Sequence, residues 1–196
     1  MSLNGSGFDY WRSKLRAMAW LVVGRHAAAE TVFDQMLARW PQDAYTLASR
    51  AHLRAQRGAG EAAIADAQAL VAAHPQRSAA DWFNLAFLLE ESQRFGDAEA
   101  AFRQALAMDP KLDRAWYGLG LTLIRLNRFD EAVAALKRNT ELQPMSPYGW
   151  YQLGRVQFDR GKPDKTQVII DHLATFEPKV AAQLARETGL RSPPRR

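Results

Sequence analysis

Five prolines set the scale of this chain. Pro41, Pro75, Pro110, Pro144 and Pro178 stand 34, 35, 34 and 34 residues apart. Trp82, Trp116 and Trp150 keep the same interval, and Ala17, Ala51, Ala86, Gly120 and Gly154 each precede one of those prolines by 24 residues. Within this frame RFGDAEAAFRQALAMDP at 94–110 is echoed by RFDEAVAALKRNTELQP at 128–144. Three residue types in one register over most of 196 residues describe a tandem array of one supersecondary unit. Each unit is too small to bury its own apolar face and must stack on the next.

The unit reads as helical. Alanine is abundant and β-branched residues are sparse, which favours helix by propensity alone. In residues 79–112, Ser78 is placed to cap a helix whose apolar positions are Trp82, Phe83, Leu85, Ala86, Leu88 and Leu89, a helical rather than a strand period. Gln93–Gly96 is the expected break, with Gly96 supplying conformational freedom and Asp97 a second N-cap. Ala98, Ala101, Phe102, Ala105 and Leu106 stripe a second helix, which ends at Asp109 because a residue before proline is pushed out of the α region. The small residues Ala86 and Ala98, with Gly120 and Ala132 in the next unit, are expected where the two helices cross. Trp82 and Phe102 are expected to fill the volume between hairpins.

These residues resemble the tetratricopeptide repeat family. Trp82, Leu85, Ala86, Leu89, Phe95, Ala98, Phe102, Ala105 and Pro110 match the whole motif. Trp116, Leu119, Gly120, Leu123, Phe129, Ala132, Leu136 and Pro144 repeat it with Asn139 in place of an alanine. The unit at 147–178 keeps Trp150, Leu153, Gly154 and Pro178 but carries Pro163 and Thr166 where the aromatic and alanine belong. Units at 10–43 (Ala17, Ala29, Phe33, Pro41) and 44–78 (Ala51, Ala62 or Ala63, Leu70, Pro75) are weaker, and Gly58–Gly60 is expected to absorb the one extra residue. The resemblance implies an all-α fold, an α-solenoid of about five helix–turn–helix repeats. The domain reading is a flexible leader at 1–7, a single array over 8–190 with units at 10–43, 44–78, 79–112, 113–146 and 147–178, a capping helix at 179–188, and a basic disordered tail at 191–196.

Composition narrows the function. The chain has no cysteine, so disulfides, thiolate metal sites and cysteine nucleophiles are excluded. No apolar run approaches the length of a membrane span, no export signal opens the chain, and a cytoplasmic location is expected. Of the net charge of +5, about four units sit in 179–196, where Lys179, Arg186, Arg191, Arg195 and Arg196 face only Glu187. His26, His52, His74 and His172 show no metal-ligand spacing. Gly118-Leu119-Gly120 lies inside a helix and follows no strand, so it is no phosphate loop. Glu90-Glu91 and Asp130-Glu131 converge on nothing. No catalytic, metal or cofactor site is expected, and the chain reads as a non-enzymatic interaction module.

The first helix of each unit is expected to line a concave side. Residues rotated off the Trp–Leu–Ala/Gly stripe face that groove: Tyr45, Ser49 and His52, then Phe83, Asn84 and Phe87, then Arg114, Tyr117 and Leu121, then Tyr148, Tyr151, Gln152 and Arg155, with Arg125 one turn further along. Aromatics beside arginine are the types enriched at binding hot spots, so the expected partner is a protein or peptide segment. Some family members hold a C-terminal carboxylate in a clamp. Asn84 and Arg114 match two clamp places, but Ala48, His52 and Gly118 occupy others and cannot hold a carboxylate in that way. Two alternatives stay open. Single-stranded RNA would need a continuous basic track, which Glu90 and Glu91 interrupt. Self-association would use the N-terminal helix, where Trp11, Met18, Trp20, Leu21, Val22 and Val23 exceed what a solvated terminal helix carries.

Overall fold

The computed structural model describes residues 5–191, and among them all regular structure is helical. The eleven helices are α1 Gly5–Val22, α2 His26–Arg39, α3 Ala44–Gln56, α4 Gly60–Ala73, α5 Ala79–Glu91, α6 Phe95–Met108, α7 Asp113–Arg125, α8 Phe129–Leu142, α9 Pro147–Asp159, α10 Pro163–Ala174 and α11 Pro178–Thr188. Each expected repeat holds two consecutive helices, and α11 follows as the additional one. The chain divides into two compact units, 1–88 and 89–196. Helix α1 begins at Gly5, inside the stretch expected to be a leader, while residues 1–4 lie outside the described residues. Of the basic tail only Arg191 is described, and its backbone N–H donates to Gln167 Oε1 on α10 at 3.1 Å.

In the first unit, Ala17 of α1 and Ala29, Val32, Phe33 and Met36 of α2 form a core with Leu53 of α3. Trp20 and Leu21 pack against this core, so these two belong to the interior side of α1 and not to its outer face. Polar groups bind the same helices together. The buried Asp66 carboxylate of α4 accepts from Arg50 Nε at 2.9 Å, Arg50 Nη2 at 2.6 Å and Arg54 Nη1 at 3.0 Å. Arg50 also reaches Asp34, and Arg54 reaches Glu30. Asp66 is thus met at its buried position by charge-assisted hydrogen bonds from two guanidinium groups.

The second unit shows what the small residues are for. A Cβ on Gly120 would stand 2.7 Å from Leu136 Cγ of α8, and one on Gly118 would stand 2.4 Å from the tip of the Phe102 ring. Helix α7 is therefore notched at two points, for α8 and α6. Asn139, the departure from the family's alanine, is buried and donates from Nδ2 to the Asp113 carbonyl at 2.9 Å. Gly149 makes room for it, since a Cβ there would meet Asn139 Oδ1. Thr166, the other departure, is buried with its hydroxyl 3.2 Å from the Gly154 carbonyl, so a polar group at the α9–α10 crossing is satisfied. Helix α11 seats Leu184 in the notch of Gly154, buries Ala181, Ala185 and Thr188, and stops at Gly189 in the left-handed conformation.

The tryptophans and prolines that mark the repeat are hydrogen-bonded to each other. Trp82 Nε1 donates to the Pro75 carbonyl at 2.9 Å, Trp116 Nε1 to Pro110 at 2.9 Å and Trp150 Nε1 to Pro144 at 2.8 Å. The three indoles are half-buried, so Trp82 is a latch between a helix and the loop before it rather than a filler of the core.

The turns correct two expectations. Gly96 lies inside α6 with open space where its Cβ would be, and Asp97 sits in the first helical turn, where it takes the Arg94 guanidinium at 2.7 Å. The left-handed residue is Gln93, at φ 59°. Gly24, Gly58, Asn127 and Gly161 hold the same place with φ of 71°, 76°, 58° and 68°, each in the middle of a three-residue turn. The turn at Gly58 thus has the common length. The extra residue lies in the α4–α5 connection, which has five residues at 74–78 against four at 40–43, 109–112 and 143–146. An L-residue pays roughly 1 kcal/mol for the left-handed conformation. Gln93→Gly should therefore stabilise the protein by about 0.5 kcal/mol after its greater unfolded-state freedom is subtracted, read as a higher chemical-denaturation midpoint. An unchanged or lower midpoint would show that the Gln93 side chain compensates for its backbone.

Candidate functional site

None of the residues expected to face the groove is buried. In the first unit, α5 carries Phe83 half-buried, Asn84 exposed and Phe87 at 49% exposure. On α3 the expectation weakens at Tyr45, whose ring packs edge-on to Phe33 at 6.5 Å and lies under Lys14 Nζ at 3.8 Å. Tyr45 is consumed by the α1–α2–α3 core.

In the second unit the residues on α7 and α9 come together. Tyr117 and Leu121 are half-buried on α7, with Arg114 and Arg125 exposed at its two ends. On α9, Tyr148 is 71% exposed, and Tyr151, Gln152 and Arg155 are half-buried. The Gln152 side chain of α9 lies near enough to the Tyr117 hydroxyl of α7 to act on it, so the two helices meet across the face. Burial pushes the Tyr117 phenol up, with Tyr148 and Glu90 adding to the effect and Gln152 opposing it. The face is thus a cluster of tyrosines with aromatic area half out of water and hydroxyls positioned by neighbours. Such residues offer large contact area with little side-chain entropy to lose.

Two carboxylates belong to this face: Glu90, expected only as an interruption of a basic track, and Glu187, which was not expected there. Glu90 is half-buried at the end of α5, and its carboxyl is raised by burial and by Glu91, against the pull of Arg125. Its position was available from helical spacing, three residues after Phe87 and seven after Phe83. Glu187 on α11 accepts from the Tyr151 hydroxyl at 2.6 Å, Arg155 Nη1 at 2.6 Å and Gln183 Nε2 at 2.9 Å. The Tyr151 hydrogen bond foremost, then Gln183 and Arg155, hold its pKa down to about 2. Arg155 therefore already has a carboxylate from its own chain. No register carried along the repeat finds Glu187, because first helices start at Ala44, Ala79, Asp113 and Pro147 but then at Pro178, 31 residues on. Among the described residues no group of three or more His, Asp or Glu side chains is arranged to hold a metal ion.

The arrangement is one of surface recognition: half-exposed rings, amide and hydroxyl groups fixed in place, and charges of both signs at the edges. Residues 89–153 match the family model described as tetratricopeptide repeat. That stretch is 65 of the 196 residues, and it carries the tetratricopeptide repeat. No curated protein sequence matches it. Among solved structures, the crystal structure of MamA protein superposes with a TM-score of 0.82 at 17% identity, covering 96% of this chain and 100% of that one. A tetratricopeptide repeat protein from Parabacteroides merdae superposes with a TM-score of 0.80 at 18% identity, over 92% of this chain and 73% of that one. YrrB, described as a TPR protein with an unusual peptide-binding site, gives 0.78 at 16% identity, over 88% of each chain. At these identities the likeness shows the fold: an α-solenoid class of stacked helical hairpins. Gly118 occupies one of the clamp places, and its notch is filled by the Phe102 ring.

Proposed function

We propose that this chain is a non-enzymatic scaffold that binds a segment of another protein, with the tyrosine face of α7 and α9 in the second unit as the centre of contact and Arg114 contributing. The observation that carries the reading is the approach of Gln152 to Tyr117 beside the exposed Tyr148. Three polar-tipped side chains are held at the surface without being spent on the core. Affinity comes from covering the rings, and direction comes from peptide groups hydrogen-bonding the fixed hydroxyls and amide. Arg155 does not serve as a free carboxylate ligand in this reading, since Glu187 holds it.

The test is selection of peptides from a displayed library against the intact protein, followed by titration calorimetry of the best one. Tyr117→Ala should weaken it by about 2 kcal/mol, the scale of a hot spot, with the melting temperature close to that of the parent. Enrichment of no peptide, or equal affinity for the variant, overturns the reading.

A further inference from the structure

A second surface lies in the first unit, on the side of α1 that faces away from the core. Phe8, Trp11, Leu15, Met18 and Val22 are all exposed, with Phe8 at 72%, Leu15 at 62% and Val22 at 87%, and Val23 is exposed beside them. Their spacing of three and four residues puts them on one stripe of the helix, opposite the fully buried Ala17. Five large apolar side chains exposed on one helix face form a contiguous apolar stripe, the kind of surface that marks an interaction site.

The rim of this stripe is basic on both sides. Arg12 and Arg16 flank it on one edge and Lys14 on the other. Arg12, Arg16 and Arg39 line one concavity together with Ser13 and Asp9. Asp9 is the single acid there and is paired with Arg39 at 2.7 Å. Arg16 has a neutral partner, Gln35, at 2.8 Å, and Lys14 lies over the Trp11 and Tyr45 rings at 5.0 and 3.8 Å. The acids of α2 do not offset this charge, because Glu30 and Asp34 are taken up by Arg50, Arg54 and Arg57 of the next hairpin. Helix α1 thus presents an apolar stripe in a positive field.

We propose that this face docks on the surface of an anionic phospholipid bilayer, with α1 lying in the plane of the interface. Phe8, Trp11, Leu15, Met18 and Val22 enter the boundary between headgroups and acyl chains. Arg12, Lys14, Arg16 and Arg39 meet the lipid phosphates, the arrangement by which an amphipathic helix binds without spanning. No helix among the described residues is long and apolar enough to cross a membrane. The three-four spacing would also suit pairing with a second copy. A symmetric pair, however, would set the basic rims of two α1 helices against each other with no free acid to answer them. Charge complementarity favours the anionic surface. None of these residues lies on α5, α7 or α9, so the proposal is independent of the peptide-binding face.

The experiment is co-sedimentation of the full chain with vesicles of phosphatidylcholine alone and of phosphatidylcholine mixed with phosphatidylglycerol, together with light scattering of the lipid-free protein. The protein should bind the mixed vesicles and lose affinity as salt is added. Leu15→Asp should reduce binding about tenfold or more, since it places a charge in the apolar boundary. The double variant Arg12→Glu, Arg16→Glu should weaken binding by roughly fivefold or more for each charge lost. Leu15, Arg12 and Arg16 are exposed, so the variants should melt with the parent. No binding to the mixed vesicles, equal binding to pure phosphatidylcholine, or full binding by either variant overturns the proposal. A dimer that Leu15→Asp splits, with no vesicle binding, assigns the stripe to a second copy instead.

Discussion

Removing residues 179–196 should destabilise the second unit by about 5 kcal/mol, on the basis of roughly 200 Å² of apolar surface uncovered. Helix α11 buries its own Ala181, Leu184 and Ala185, and it is what covers α9 and α10 at their open end. Leu184 fills the notch at Gly154 beside Ile169, and its loss empties that notch. The outer side of α11 carries Lys179, Gln183, Arg186 and Glu187, all exposed, so this helix has one apolar and one polar face. Thermal melts of the shortened and full chains should differ widely, with the shortened chain aggregating. Equal melts would mean that α10 covers itself and α11 is an ornament. The cut would also release Arg155 and Tyr151 from Glu187, so any gain in binding of acidic peptides by the shortened chain would come from that face.

Gly120→Leu should cost about 3 kcal/mol, at the upper end of what overpacking does. The first atom of the new side chain would already stand 2.7 and 2.8 Å from Leu136 Cγ and Cδ2, and Leu136 is fully buried with nowhere to retreat. Gly96→Leu is the control. It adds the same bulk inside α6, where nothing lies within 4 Å, and should leave stability unchanged or slightly raised by helix propensity. Denaturation midpoints of the two variants decide the matter. If Gly120→Leu is tolerated, the crossing of α7 and α8 is not set by this notch.

The fold was legible because it depends on period, and period survives substitution. Pro, Trp and Ala/Gly each carried the 34-residue interval independently, and each turns out to have a physical job at its position: loop carbonyl, indole donor and crossing notch. The candidate face was legible only as a helical stripe. Tyr117, Tyr148, Tyr151 and Gln152 fall on adjacent helices of one unit, yet the Tyr117–Gln152 contact and the role of Glu187 depend on how α7, α9 and α11 approach each other, and α11 breaks the interval by three residues. The turn was misread for a local reason. Gly96 looked like the flexible residue, but the left-handed position falls three residues earlier, on Gln93, where side-chain identity gives no warning. The Asp66 network escaped notice because Arg50 and Arg54 on α3 and Asp66 on α4 look like ordinary surface charges until the two helices gather them.

The tryptophan latch has a consequence for how such a chain tolerates change in length. Trp82 reaches the Pro75 carbonyl across seven residues, whereas Trp116 and Trp150 reach theirs across six. One residue has been added between hairpins and the bond is still made, so this joint takes up an insertion without passing it on to the next helix. The three-residue turns within hairpins have no such slack, because their middle residue must turn left-handed and both neighbours are committed to helix ends. The added residue is thus absorbed in a connection between hairpins, while all five turns within hairpins keep three residues.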